Sequence, residues 1–351
     1  MIIIWGQQDY ADRLFKYQQK LYKEAQIKKL PFPLPADNPI RYDFDYSLYD
    51  SELANLKQDD TLIVAFGNQY IQTAIQYLKK IQIKNITIYD AALDNELKKK
   101  YFKERFKECH KDFSLVDVPK SIIVYMAKSV FDKPLKNSQE QISKYVTPYV
   151  TPIQVGAALT DKKISDITDD MGDNISSRNH RYSEATALYW MWKNADADYI
   201  GLCHYRRHWK NLDIIAENLQ NDLTDVVLPV PTLCVKSVLE DYMKRYIPKV
   251  YPIMLDVLRE KSPEYYKESE KIFNGDIFYA CNMLIAKKKV LNSLSEWMFP
   301  IVFEIEKRVG DLPDAYENRY AGFCTERLIT LYFLYNKQNF KISHADKIFI
   351  E

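Results

Sequence analysis

Glycine is scarce in this chain, with 8 residues in 351 against 27 tyrosines and 16 phenylalanines. No strand-to-helix turn spells GxGxxG. The two candidates read WGQQDY and FGNQYI. A dinucleotide site needs those glycines so that the backbone can approach a pyrophosphate, so a dehydrogenase built on the N-terminal part is the weakest functional reading. Cysteine offers no framework either. Cys109, Cys203, Cys234, Cys281 and Cys324 are odd in number, scattered and never spaced as CxxC, which indicates neither a disulfide scaffold nor a zinc site. Reduced thiols suit a cytosolic protein. An excess of one charge is also missing. Lys+Arg number 49 and Asp+Glu 48, a net +1, which argues against a general nucleic-acid binder. No uncharged apolar run approaches the ~20 residues of a membrane span. The start, MIIIWGQQDY, lacks the basic region and longer apolar run of a signal peptide. A cytoplasmic protein is expected, able to rest on the inner face of the cell membrane. The tyrosine surplus reads first as composition, and only second as rings able to stack on sugars.

What is present fills two α/β domains, with residues 1–117 as a small Rossmann-like domain and 118–351 as the larger one. In the first, strands are expected at Ile2–Trp5, Thr61–Phe66 and Asn85–Tyr89, with helices at Tyr10–Ala25, Tyr70–Ile81 and Glu96–Lys107. Pro31, Pro33, Pro35 and Pro39 form a connection that breaks the pattern. In the second, Ser121–Met126 opens a new sheet, and residues 132–150 read as a loop with a short helix. Pro152–Leu159 is a short apolar segment. Asp166–Asn174 is an Asp-rich loop, and Ser183 is expected to cap a helix over Glu184–Asn194. Tyr199–His204 is the central buried strand. Further strands are expected at Val226–Val230 and Phe278–Ala286, and helices at Pro263–Phe273, Val290–Arg308 and Arg319–Tyr335.

The stretch His204-Tyr205-Arg206-Arg207-His208 follows the buried strand directly. In open α/β sheets, ligands sit at the carboxyl ends of strands. Arginine suits phosphate because its planar fork donates two parallel hydrogen bonds and keeps its charge. An anion site is therefore favoured over a merely solvated strand end. The loop carrying Asp169, Asp170, Asp173 and Asn174 reads equally as a hydroxyl-binding loop and as a turn with an Asx cap. Asn282, inside an apolar strand, must find a partner, either a ligand hydroxyl or backbone. Glu326-Arg327, at a helix start, reads from spacing alone as a helix-surface pair.

The strings PIQVGAAL (152–159), DNIS (173–176), SEATALYWMWKN (183–194), YIGLCHYRRHW (199–209), NMLIAKK (282–288), EWMFPIVFEIEKR (296–308) and RYAGFCTERLITLYF (319–333) occur in this order. In them the chain resembles domain-of-unknown-function family 4422, which is found in bacterial capsule and exopolysaccharide gene clusters and is regarded as glycosyltransferases. Ser183 and Ala185 depart from the family's usual CELTALYW. The resemblance implies a GT-A-like nucleotide-diphosphosugar fold in the second domain. It also implies transfer of a sugar, with galactose as pyranose or furanose expected, from a UDP-sugar to a glycan or lipid-linked oligosaccharide.

On that reading Glu326 and His204 are the catalytic candidates, Glu326 deprotonating the acceptor hydroxyl. Arg206, Arg207, Tyr205, Gly156, Asp173 and Asn174 are the donor-binding candidates, and Asn282 and Trp209 the acceptor-binding ones. Asp196-Ala197-Asp198 spells the DxD metal triplet of many such enzymes but precedes its strand, at the wrong end. No metal ligand is assigned. Mn²⁺ or Mg²⁺ is compatible but not favoured, because a guanidinium at the strand end can neutralise the leaving diphosphate. The alternative is a non-catalytic nucleotide-sugar or glycan-binding module.

Overall fold

The computed structural model describes residues 1–33, 44–105, 120–136 and 147–350. The chain divides into two compact units, Met1–Glu108 and Cys109–Glu351. The expected boundary between residues 117 and 118 lies outside the described residues, as do Cys109 and residues 137–146 of the segment 132–150 expected as a loop with a short helix.

In the first unit the order is β1 (Ile2–Gln7), α1 (Gln8–Leu21), β2 (Ile27–Phe32), α2 (Asp50–Ala54), β3 (Thr61–Ala65), α3 (Asn68–Lys80), β4 (Ile86–Ile88) and α4 (Ala91–Arg105). The four strands are parallel in the order β2-β1-β3-β4. Trp5, Phe32, Phe44 and Phe66 pack together in its core. The strand β2 corrects the expectation of a proline-broken connection at Pro31, whereas Pro35 and Pro39 lie outside the described residues. It contains Pro31, and it lies at the sheet edge, where one missing N–H costs little.

The second unit runs β5 (Ile122–Lys128), β6 (Val150–Gln154), β7 (Ile167–Thr168), α5 (Asn179–Tyr182), α6 (Ala185–Asn194), β8 (Tyr199–His204), β9 (Arg207–Trp209) and α7 (Leu212–Gln220). It continues with β10 (Val226–Pro229), β11 (Thr232–Leu233), α8 (Val238–Arg245), α9 (Val250–Lys261), α10 (Pro263–Phe273), β12 (Ile277–Phe278), β13 (Leu284–Lys287), α11 (Lys288–Val309), α12 (Tyr320–Tyr335), β14 (Ile342–Ala345) and β15 (Lys347–Phe349). The main sheet has the order β14-β10-β13-β8-β5-β6-β7. Strands β5, β6, β7 and β8 are parallel, and β13 runs against β8. Every residue of β8 is buried. Gly201 is needed at its centre, since a Cβ there would lie 2.7 Å from Ile285 Cγ1.

Two local expectations are corrected. The single strand expected over Phe278–Ala286 is instead β12 and β13, split by a turn in which Cys281 (φ 77°) and Asn282 (φ 49°) are both left-handed. The strand β12 pairs with β11 in a separate two-stranded ribbon. The left-handed region costs non-glycine residues energy and persists where surrounding contacts fix it. Ser183 is not the cap of α6: it has φ 50° between α5 and α6, and Glu184 holds the cap position. Among the described residues no helix is long and apolar enough to cross a membrane.

Candidate functional site

The parallel strands β5, β6 and β8 end at Lys128, Gln154 and His204, and their carboxyl ends open on a cleft of about 580 Å³. This is the crevice that open α/β sheets use for ligands. The backbone reverses at Tyr205–Arg206 and returns as β9, with His204 paired to Arg207. The hairpin brings Arg206 and Arg207 into the cleft wall, and Lys128 and Arg319 supply further cationic groups to it. Arg206 Nη2 donates to the Pro134 carbonyl at 3.3 Å, while its Nε is buried with no partner.

The carboxylate side of the cleft is built by long-range contacts. Glu184, at the N-terminus of α6, and His204 both line the cleft. Asn282 donates through Nδ2 to Glu184 Oε1 at 2.9 Å, and its own Oδ1 accepts from Thr325 Oγ1 at 2.9 Å. The left-handed turn thus aims one amide at one carboxylate. His204 Nε2 is buried with no partner. Burial holds the His204 imidazole below its usual range, against the pull of the Glu184 charge, so the ring is neutral at pH 7. The only other carboxylate among the described lining residues is Asp132. Burial pushes Asp132 up, and Arg206 and Lys128 oppose that shift. Among the described residues no cluster of three His, Cys, Asp or Glu side chains is arranged to hold a metal ion.

Residues 137–338 match the family described as Domain of unknown function (DUF4422). The chain belongs to that family. A solved structure, the apo form of the bifunctional glycosyltransferase WbbM, is similar to it with a TM-score of 0.57 and 25% identity. The similarity covers 66% of this chain and 45% of that one, so this chain spans less than half of that neighbour's length. No curated protein matches. The second unit has a GT-A-like α/β fold.

Within this DUF4422 chain the expected site residues separate into those at the cleft and those elsewhere. His204, Tyr205, Arg206 and Arg207 line it. Gly156 is adjacent to the lining residue Val155 and is left-handed at φ 66°, and a Cβ there would lie 2.8 Å from Asn179 Oδ1. Glu326 does not line the cleft. Its Oε1 accepts the Cys281 N–H at 2.6 Å, and its Oε2 pairs with Arg327 at 2.8 Å. Burial pushes its carboxyl up, and Arg327 opposes the shift. Trp209 is a core residue, 2% exposed, donating to the Leu202 carbonyl at 3.2 Å. Asn282 is 1% exposed with its amide engaged inside the protein, which makes it a support for Glu184 and not a surface for an acceptor.

The Asp-rich loop resolves into a turn. Asp169 is fully buried and accepts the N–H groups of Gly156 (3.0 Å) and Ala157 (3.1 Å) and the Ser176 hydroxyl. Asn174 closes an Asx-type turn, accepting the Ser176 N–H at 3.2 Å. Asp173 is held at the far end of α6, accepting from Tyr189 at 3.0 Å, with its N–H donated to Asn194. A ten-residue helix is about 15 Å long, so Asp173 and Asn174 stand away from Glu184. Asp198 sits at the N-terminal entry of β8 and binds the Ser121 N–H and hydroxyl, each at 2.8 Å.

Sequence reasoning missed Glu184 as a site residue. Its signals were available, since it stands at the head of an apolar helix immediately after a polar loop, but its partner lies 98 residues away.

Proposed function

We propose that this chain is a glycosyltransferase that moves a sugar from a nucleoside diphosphate sugar to a glycan or lipid-linked oligosaccharide. The supporting observation is a cleft at the carboxyl ends of β5, β6 and β8 whose lining brings arginines together with the Glu184 carboxylate and the His204 imidazole. The similarity to WbbM agrees with it. The expected donor is a UDP-sugar, with galactose as pyranose or furanose. The expected setting is bacterial surface-glycan synthesis at the cytoplasmic face of the membrane, with the transfer carried by residues 118–351.

In the proposed reaction the donor diphosphate lies against Arg206 and Arg207. Glu184 takes the proton of the acceptor hydroxyl, whose oxygen forms a bond to the sugar's anomeric carbon. The bond from that carbon to the phosphate oxygen breaks, and the electron pair leaves with the diphosphate. Fixed guanidinium groups offset that charge in a site of lowered dielectric without having to reorganise. His204 Nε2 bonds a donor hydroxyl or phosphate oxygen. Glu184 replaces Glu326 as the base because it lines the cleft and only its Oε1 is engaged, by Asn282, whereas Glu326 does not line the cleft and both its oxygens are occupied.

The expected mechanism needs no divalent cation. The test is release of UDP from a panel of UDP-sugars, with glycan acceptor, in excess chelator and with added manganese. Sustained turnover in chelator is expected. A loss of tenfold or more that manganese restores would contradict the metal-free mechanism. It would point to Asp132 and Glu184 as ligands, since Asp169 is sequestered. Binding of UDP-sugars without turnover of any would favour the non-catalytic module.

A further inference from the structure

The family match ends at residue 338, yet the chain continues through two more strands. The strand β14 joins the main sheet beside β10, and β15 then runs antiparallel to β9. The return is pinned at both ends. The Lys210 N–H donates to the Asp346 carbonyl at 2.9 Å, and the Ile350 N–H donates to the Arg206 carbonyl at 2.8 Å. The register sets Phe349 directly opposite Arg207, where side chains of an antiparallel pair are in reach of each other.

Phe349 lines the cleft and is 55% exposed. The Arg206 guanidinium lies 5.9 Å from its ring centroid and that of Arg207 5.5 Å. One ring is therefore shared by two adjacent cations, neither of which pairs with a carboxylate of the described residues, and Arg206 also lies 5.4 Å from the Tyr205 ring. A ring quadrupole attracts guanidinium groups and restricts where their planes can lie. Lys347, on the same strand face two residues earlier, adds a further charge that bears on His204 and Glu326.

We infer that the last strand of the chain is part of the anion site, with Phe349 as a positioning residue that holds the forks of Arg206 and Arg207 oriented toward a diphosphate. This rests on the reading of the cleft as a diphosphate site. A ring that positions the arginines affects any diphosphate equally, with or without a nucleoside attached. A ring that instead stacks on the nucleobase affects only the nucleotide.

The test titrates UDP and inorganic pyrophosphate separately into the full chain and into Phe349→Ala, Phe349→Leu and Phe349→Trp, with thermal unfolding followed in parallel. Phe349→Ala and Phe349→Leu are expected to weaken both ligands about tenfold, the combined effect of two guanidinium–ring contacts at a partly exposed site. Phe349→Trp, which keeps an aromatic face, is expected to stay within about threefold of the parent. The half-exposed ring predicts unchanged unfolding for all three. Unaltered binding in Phe349→Ala would overturn the inference. So would full rescue by leucine, which supplies bulk without a π-face, or a loss confined to UDP. A parent chain that binds neither UDP nor pyrophosphate refutes the cleft reading itself, before any Phe349 variant is compared.

Discussion

Glu184→Gln is expected to lower glycosyl transfer by about 10²- to 10⁴-fold, the range for loss of a general base, while UDP affinity stays within about twofold. Glutamine preserves the size of the side chain, and its amide oxygen still accepts the Asn282 Nδ2 hydrogen bond made at 2.9 Å in the parent. What it removes is the ability to take a proton from the acceptor. Neither Arg206 nor Arg207, the proposed diphosphate ligands, pairs with this carboxylate, so on the proposed reaction binding and chemistry separate. Kinetics with saturating donor and calorimetry with UDP check the two halves. A variant that loses affinity and turnover together would make Glu184 part of the donor site and leave the base unidentified.

Glu326→Ala is expected to destabilise the second unit by about 3–5 kcal/mol, the usual result of stripping one partner from a buried ion pair. Arg327 is wholly buried, and its guanidinium packs on the rings of Tyr242, Tyr246 and Phe278. Beyond Glu326, its nearest carboxylate among the described residues is Asp241 at 3.8 Å. The substitution also orphans the Cys281 N–H in the left-handed turn that carries Asn282. Domains are stable by about 5–15 kcal/mol in total, so a loss of this size is a large fraction of the whole. Chemical denaturation measures it directly. If Glu326→Ala unfolded like the parent and yet lost turnover, Glu326 and not Glu184 would be the base.

The contrast between these two carboxylates shows where sequence reading stops. The central strand was legible at Tyr199–His204 because six consecutive buried residues follow a turn, and α10 was legible at Pro263–Phe273 because a proline opens it and its period is clear. Such elements gave an α/β class, and its GT-A-like form came from the family resemblance. The arginine hairpin was visible as composition at a strand end. Its reversal into β9 was not, because that turn is defined by pairing with β15, far along the chain. Similarly, Glu184 and Glu326 are both acids near the start of an apolar helix. Only folding decides that one meets Asn282 at a cleft and the other a buried arginine. Asn282 itself was correctly marked as a polar residue needing partners. The split of its strand was missed because an apolar run hides a left-handed turn held by distant side chains. The edge strand β2 was missed for the opposite reason, a proline whose local cost vanishes at a sheet edge.

The central claim is that the arginine end of β8, and not the DxD-like triplet at its other end, holds a nucleoside diphosphate. Calorimetric titration of UDP into Arg206→Ala and Asp198→Ala tests it most directly. Arg206 has a buried Nε with no protein partner and lines the cleft, whereas Asp198 is engaged with Ser121 at the strand entry. Truncating a group that pairs with a desolvated charge costs about 2–5 kcal/mol of binding. Removing a surface carboxylate remote from the ligand costs well under about 1 kcal/mol. The account predicts a loss of UDP affinity of about thirtyfold or more for Arg206→Ala and near-parental affinity for Asp198→Ala. The reverse order would place the diphosphate at Asp196–Asp198 and contradict the site described.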